Sequence, residues 1–455
     1  MATSTSDGPS RAALLSYASP AIPLAMLIMQ IIVYIPPLYA IEAGVSIAAV
    51  GGIFFIARGV DAFVDIWVGS MSDSTRTTWG RRKPWIAVGV PLLMVMAWVL
   101  CAPPAGASTT YLLVSAVAFY ICLTLVQIPY LSWGAELSRD YAQRTRINGM
   151  REGAGMLGTV LATVLPLVVL VLIEGKTNPS LREIAFVFVV TVTVLFPITT
   201  FLALRNAPMG EFVDTGKQSL LQALRGLRKN KLLARLLIGV LLIWLGGSIF
   251  NALVIFIVQH TLKLQNSAML YFVFTQYAVG LLCLPLMLKL ANRIGRHRVL
   301  VLGALAFMLP LPLFMLVPPG ALPYAIALYA LLGTTTSAIW VMPPALVADA
   351  IDYGRLHGAK DDAALYMALY HFVQKVAMAG GVGIGMALAG ALGFNAAGDN
   401  TVDGVRALNM VALVLPVFIA LPGMLMLFNY PLTRERHDEV RRMLDEQAVA
   451  AKGLA

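Results

Sequence analysis

The sequence predicts an all-α, polytopic membrane protein of twelve transmembrane helices, which the long polar stretch 205–232 and an internal repeat divide into two pseudo-symmetric six-helix bundles. Three observations lead there. Of 455 residues, 59% are hydrophobic and only 12% are charged, with a mean hydropathy of +0.80; a soluble domain carries about 25% charged residues. The apolar residues fall into runs near the ~20 residues that cross a bilayer as helix. Basic residues recur in short clusters in alternate gaps between those runs, the pattern of positive-inside loops.

The predicted spans are 14–41, 46–72, 84–103, 109–136, 147–173, 182–204, 233–260, 267–290, 298–317, 321–351, 362–393 and 405–429. The gaps after helices 2, 4, 6, 8 and 10 carry most of the arginine and lysine, as does the tail with Arg434, Arg436, Arg441 and Arg442. Both termini are therefore expected in the cytoplasm and the chain in the inner membrane. The resulting divisions are an N-terminus at 1–13, a bundle at 14–204, a central loop at 205–232, a second bundle at 233–430 and a tail at 431–455. The net charge of +10 is spread over these loops, which excludes a nucleic-acid patch. The residues before helix 1 are polar and the first apolar run is itself a full span, so no cleaved signal peptide is expected. Cys101, Cys122 and Cys283 all fall within apolar runs, at no metal-ligand spacing, and read as small core residues.

Taken in order, helix 1 carries Tyr34, Pro36, Pro37 and Tyr39, apt for a bent, aromatic-lined wall. Helix 2 holds the costliest stretch, Arg58-Gly-Val-Asp61-Ala-Phe-Val-Asp65. Asp61 and Asp65 are four apart and share a helix face, with Arg58 close to it. An ionised Asp or Arg at the centre of a bilayer helix costs roughly 2.5–3.5 kcal/mol. Either Arg58 and Asp61 pair to hold helices together, or the cluster handles ions; pairing those two leaves Asp65 over, which favours function. Helix 4 offers the Thr124 hydroxyl, a ligand for a cation beside the carboxylates, and Gln127, a donor and acceptor. Helix 5 opens with Gly149-Met-Arg151-Glu152-Gly-Ala-Gly155, where Arg151 either reaches inward or snorkels to the interface. Within the central loop, 219–228 reads as an amphipathic surface helix or a solvated linker. Helix 10 carries Trp340 and ends in Asp349 and Asp352, placed for gating or headgroup contacts. Helix 11 carries His371, Gln374 and Lys375. Lys375 is about mid-span, so it points inward, and its nearest use is as counter-charge to the helix 2 carboxylates. His371, one turn away, either shares a proton or is a neutral core histidine.

A weak repeat links the halves. Gly69-Ser-Met-Ser-Asp73…Gly80-Arg81-Arg82-Lys83 after helix 2 parallels Asn292-Arg293-Ile-Gly295-Arg296-His297-Arg298 after helix 8. The pattern resembles the cytoplasmic signature of the major facilitator superfamily, whose fold it implies, with Asp73 and Arg81 as gating residues. No Walker loop and no metal or hydrolase constellation is found, so no enzyme and no cofactor are expected, and an ion gradient is the simplest driver. A receptor or scaffold without transport does not account for the intramembrane charges on helices 2 and 11.

The run from Arg58 to Asp65, with Thr78-Trp79-Gly80-Arg-Arg-Lys83-Pro84-Trp85 and Val347-Ala-Asp349-Ala-Ile-Asp352-Tyr353-Gly354, resembles the glycoside–pentoside–hexuronide cation symporters. The resemblance implies that Asp61, Asp65 and Thr124 form a cation site with Lys375 near it. It places Arg151 and Trp340 at the sugar site, and Tyr34, Gln127, His371 and Gln374 are expected around the same substrate. In the type member, melibiose permease, an Asp of helix 1 and an Asp of helix 4 hold sugar hydroxyls; those positions here are Ala25 and Gln127, and an aromatic one turn later is Leu131. Val64 replaces an Asn of the family's sodium site, which favours the proton over sodium as coupling ion. The expectation is a monomeric, cation-coupled symporter of a sugar, glycoside or related small solute, working by alternating access. The alternative is a lysolipid or other amphiphile, cargo that animal relatives of the family move.

Overall fold

The computed structural model describes residues 10–104, 106–138, 141–209, 227, 230–356, 363–398, 400–431, 436, 439, 440, 442, 443 and 446. Among them, twelve helical segments are long and apolar enough to cross a membrane. They are α1 (Arg11–Ile41), α2 (Ile47–Ser74), α3 (Lys83–Cys101), α4 (Thr109–Gly134), α5 (Arg146–Ile173) and α6 (Leu181–Asn206), then α7 (Lys231–Thr261), α8 (Ser267–Ile294), α9 (Arg296–Leu316), α10 (Leu322–Gly354), α11 (Tyr366–Ala391) and α12 (Val402–Phe428). No strand occurs among the described residues. The chain divides into two compact units. One contains α1–α6, with the short stretches Gln265–Leu270 and Gly390–Asn400; the other contains α7 and the rest of α8–α12.

The helix ends fall within a few residues of those expected, and the interiors hold the differences. α1 is three pieces, Arg11–Ala18, Ala21–Val33 and Ile35–Ile41. Pro20 interrupts it once. Tyr34, at φ −107° and ψ −35°, marks the second break just before Pro36 and Pro37, which have no N–H to give to the preceding turn. Three wide π-helical stretches, Leu167–Ile173, Ile257–Thr261 and Met410–Val414, end or interrupt α5, α7 and α12. They lie in or beside uniform aliphatic runs whose periodicity carries no sign of them.

Within the first unit α2 and α3 pack on α4, and α1 on α5; within the second α7 packs on α12 and α9 on α10. Bare glycines set the closest approaches, as expected where helices meet without a hydrophobic drive. A Cβ on Gly158 would overlap the Ile22 carbonyl, and one on Gly381 would overlap Ser248. Gly80 and Gly295, the paired glycines of the internal repeat, both sit at positive φ, +84° and +94°. That left-handed turn is open to glycine at little cost, and it swings the following arginines back onto the bundle.

The 219–228 amphipathic stretch lies outside the described residues except Leu227, as do the loop and tail residues Arg139, Lys217, Lys360, Arg434 and Arg441.

Candidate functional site

The α2 charges converge with α4. Arg58 Nη1 donates to Asp61 Oδ2 at 3.0 Å, with the two side chains only 9% and 1% exposed. This pair lies within one helix, three residues apart, so it does not tie helices together. That is done from α4. The Arg58 guanidinium stacks 4.6 Å from the centre of the Tyr120 ring, a cation–π contact in a dry setting. The Thr124 hydroxyl oxygen lies 2.6 Å from Asp61 Oδ1 and 3.0 Å from Asp65 Oδ1. Threonines in helices commonly bond back to their own turn; Thr124 instead reaches across to both carboxylates. Asp61 is buried and Asp65 half-buried. The residues Asp61, Asp65 and Thr124 thus share one locus, with Arg58 on its edge. Among the described residues no group of three His, Cys, Asp or Glu has the spacing to hold a metal ion.

Tyr120 was not singled out from the sequence. The signal was present: it lies four residues before Thr124, on the same stripe of α4.

The turn between α2 and α3 forms a second charged locus. Arg82 donates through Nε to Glu136 Oε1 at 2.8 Å and through Nη1 to the Ser72 hydroxyl at 2.6 Å, and it also bonds Asp73. Arg81 donates to Glu136 at 3.0 Å. Lys83 donates to the carbonyls of Leu204 and Ala207, both at 2.8 Å, fastening the start of α3 to the end of α6. Asp73 is therefore held by Arg82 and not by Arg81. Glu136, the one acidic residue between Thr109 and Glu136, is the hub that sequence reasoning missed. The second unit carries a corresponding turn. Arg296 Nη1 bonds both oxygens of Asp349, at 2.6 and 2.8 Å, and Asn230 Nδ2 donates to the Ala350 carbonyl. Asp352 is half-buried one turn further on.

The residues expected around substrate are more scattered. Tyr34 is buried at the break of α1, its hydroxyl without a hydrogen-bond partner. Gln127 is half-buried on α4. Arg151 is 14% exposed and pairs at 2.7 Å with Glu152, which is 71% exposed. Trp340 of α10 is 44% exposed and meets Trp244 of α7 edge to face, ring centres 4.6 Å apart. On α11, Gln374 and Lys375 are half-buried, and His371 is exposed with its ring 5.0 Å from that of Tyr370. That exposure is not the environment of a core histidine.

Comparison with known proteins agrees with this architecture. The chain is 25% identical over 419 residues to a glucuronide carrier protein homologue of Escherichia coli, covering 90% of each chain. It is 22% identical over 431 residues to the human sodium-dependent lysophosphatidylcholine symporter 1, covering 86% of this chain and 78% of that one. A crystal structure of the nucleoside transporter NupG, in a single-substitution variant, superposes with a TM-score of 0.65 at 13% identity, over 91% of this chain and 100% of that one. The model of the family described as MFS/sugar transport protein matches residues 16–434. This multi-pass membrane protein belongs to the MFS/sugar transport family, the major facilitator group to which the resemblance of its α2 and α10 motifs pointed.

Proposed function

We propose that the chain is a secondary active symporter that couples a cation, the proton in preference to sodium, to movement of a sugar, glycoside or related small organic solute by alternating access. One observation carries the coupling reading: a single Thr124 hydroxyl stands within hydrogen-bond distance of carboxylate oxygens from both Asp61 and Asp65. That hydroxyl has one proton to donate. The second contact becomes favourable when a proton sits on one carboxyl and is donated to the threonine oxygen. It also becomes favourable when a cation lies among the three oxygens. A proton or cation at this place also relieves the repulsion between the two carboxylates. Val64 beside Asp65 brings no oxygen ligand, which favours the proton. Lys375 competes for the same carboxylates when the cation is absent. The chain acts as a monomer in the inner membrane with both termini in the cytoplasm.

Support for a glycoside cargo comes from the family and from the relative named as a glucuronide carrier homologue. A second reading, a lysolipid or other amphiphile, draws on the human lysophosphatidylcholine symporter and on Ala25, which leaves α1 without the family's sugar-binding carboxylate.

The test is uptake into proteoliposomes under an imposed proton or sodium gradient, across a panel of glycosides and a lysophosphatidylcholine. Accumulation of a glycoside driven by the proton gradient is expected. Accumulation driven by sodium alone overturns the proton preference. Uptake of the lysolipid with no glycoside moves the cargo to the second reading, and equilibration with no gradient dependence overturns coupling.

A further inference from the structure

The second unit holds a polar feature that the coupling site does not use. α10 carries four hydroxyl residues in succession, Thr334, Thr335, Thr336 and Ser337, in the middle of an apolar span. The three threonines bond back to carbonyls of their own helix, Leu331 for the first and Leu332 for the other two. Ser337 does not: its hydroxyl is buried and makes no hydrogen bond. Three residues later on the same face is Trp340, 44% exposed. Against Trp340 lies Trp244, 8% exposed, whose indole N–H is also buried and unpartnered. A buried tryptophan ordinarily finds an acceptor for that N–H, and an edge-to-face ring contact is a weak substitute for one. Two unspent donors therefore lie beside the one ring of the group that is half exposed.

We propose that Trp244 and Ser337, within the second unit, are specificity-determining residues beside Trp340, the ring that the family resemblance already places at the substrate. Trp340 presents a ring face to a sugar ring or an aromatic aglycone. When that half-exposed side chain turns to accept the ring, it uncovers the Trp244 N–H and the Ser337 hydroxyl. The N–H donates to a ring or hydroxyl oxygen of the substrate, and the serine donates or accepts at a neighbouring hydroxyl. The cargo class is a solute with a flat or C–H-rich ring face carrying oxygen acceptors on one edge. The inference rests on the glycoside reading above.

The experiment is saturable uptake of para-nitrophenyl glycosides, and of deoxy analogues lacking one hydroxyl each, by the wild-type chain and by Trp244→Phe and Ser337→Ala. Phenylalanine keeps a ring against Trp340 and removes the donor, and thermal midpoints of the purified variants report that each still folds. Loss of one hydrogen bond predicts a KM about three- to tenfold higher for the parent glycosides with maximal rate unchanged. For Trp244→Phe, one deoxy analogue should show no such penalty, because the group it lacks is the one the indole served. Wild-type uptake with KM unaltered in both variants overturns this inference and leaves the transport reading standing. Penalties equal across all analogues also overturn it, since they report packing and not recognition. Absence of saturable glycoside uptake by the wild-type chain overturns the glycoside reading and this inference with it.

Discussion

The two units repeat one plan but fill its centre differently. Between α2 and α4 the first unit gathers Arg58, Asp61, Asp65 and Thr124, with Tyr120 over the guanidinium. Between α8 and α10, the equivalent pair, the second unit has Gln276, whose amide donates to Thr336 at 3.3 Å. Thr124 and Thr336 each lie about midway along their helix, yet one reaches across to two carboxylates and the other bonds back to Leu332. A neutral amide and hydroxyl can satisfy one another and stay closed. Two carboxylates cannot both accept from one hydroxyl, and a proton or cation placed among them relieves that conflict. The turns show the same bias. Arg82, 7% exposed, gathers Glu136, Asp73 and Ser72, whereas Arg296, 43% exposed, serves Asp349. On the proposed reading, this asymmetry assigns cation coupling to the first unit and leaves the second free to specialise.

The comparison breaks most completely at Asp65. Asp65→Asn keeps the shape and hydrogen-bonding capacity of the side chain and removes its charge, so it should abolish uphill uptake while leaving expression intact. Concentrative uptake by that variant would sink the charged-centre reading. Next in size, Arg82→Ala leaves Glu136 to Arg81 alone, removes the partner of Asp73 and Ser72, and should lower stability by about 3 kcal/mol, the low end for disrupting a buried charge network. Arg296→Ala, at a half-exposed bridge, should lower it by about 1 kcal/mol. Equal shifts in the melting midpoints of the two variants would mean the turns are not as different as their burial implies. Gln276→Glu then asks whether the neutral centre tolerates what the charged one is built for. An unpaired carboxylate there should destabilise the second unit by roughly 2.5 kcal/mol without adding ion dependence to uptake.

What the sequence showed of this contrast follows from cost. Charges inside an apolar span are so expensive that Asp61, Asp65 and Arg58 announced themselves, and Pro36-Pro37 announced the break in α1 in the same way. Gln276 did not, because a lone amide among apolar residues costs little once it finds one partner. Tyr120 and Glu136 were legible by spacing and by isolation in an apolar helix, but neither residue type is rare enough to draw notice. Which of the neighbouring Arg81 and Arg82 would take Asp73 depended on the turn at Gly80, and adjacent arginines carry no mark of it. The π stretches were invisible: at Leu167–Ile173 wide and ordinary turns of Val, Leu and Ile have the same composition, and no residue at the other two marks a wider turn.

The smallest effect separates the two threonines and has a defined sign. With a proton bound, Thr124 donates to one carboxylate and accepts from the other carboxyl; with none, it donates to one and faces the lone pairs of the second. The loaded state therefore gains the additional bond, so Thr124→Val should weaken loading by about 1 kcal/mol, several-fold in affinity. Read as proton-driven uptake, the activation midpoint should move to lower pH by somewhat under about one unit, because the variant needs more acid to load; Thr124→Ser, which restores the hydroxyl, should return it. With sodium as the coupling ion, the half-saturating sodium concentration should rise by the same factor. Thr336→Val should leave either midpoint where it is, since that hydroxyl is already spent on Leu332 and Gln276. A midpoint that moves to higher pH in Thr124→Val would mean that the hydroxyl serves the empty site. The carboxylates would then be held ready by Thr124, and the loaded form would owe its stability to contacts other than this one.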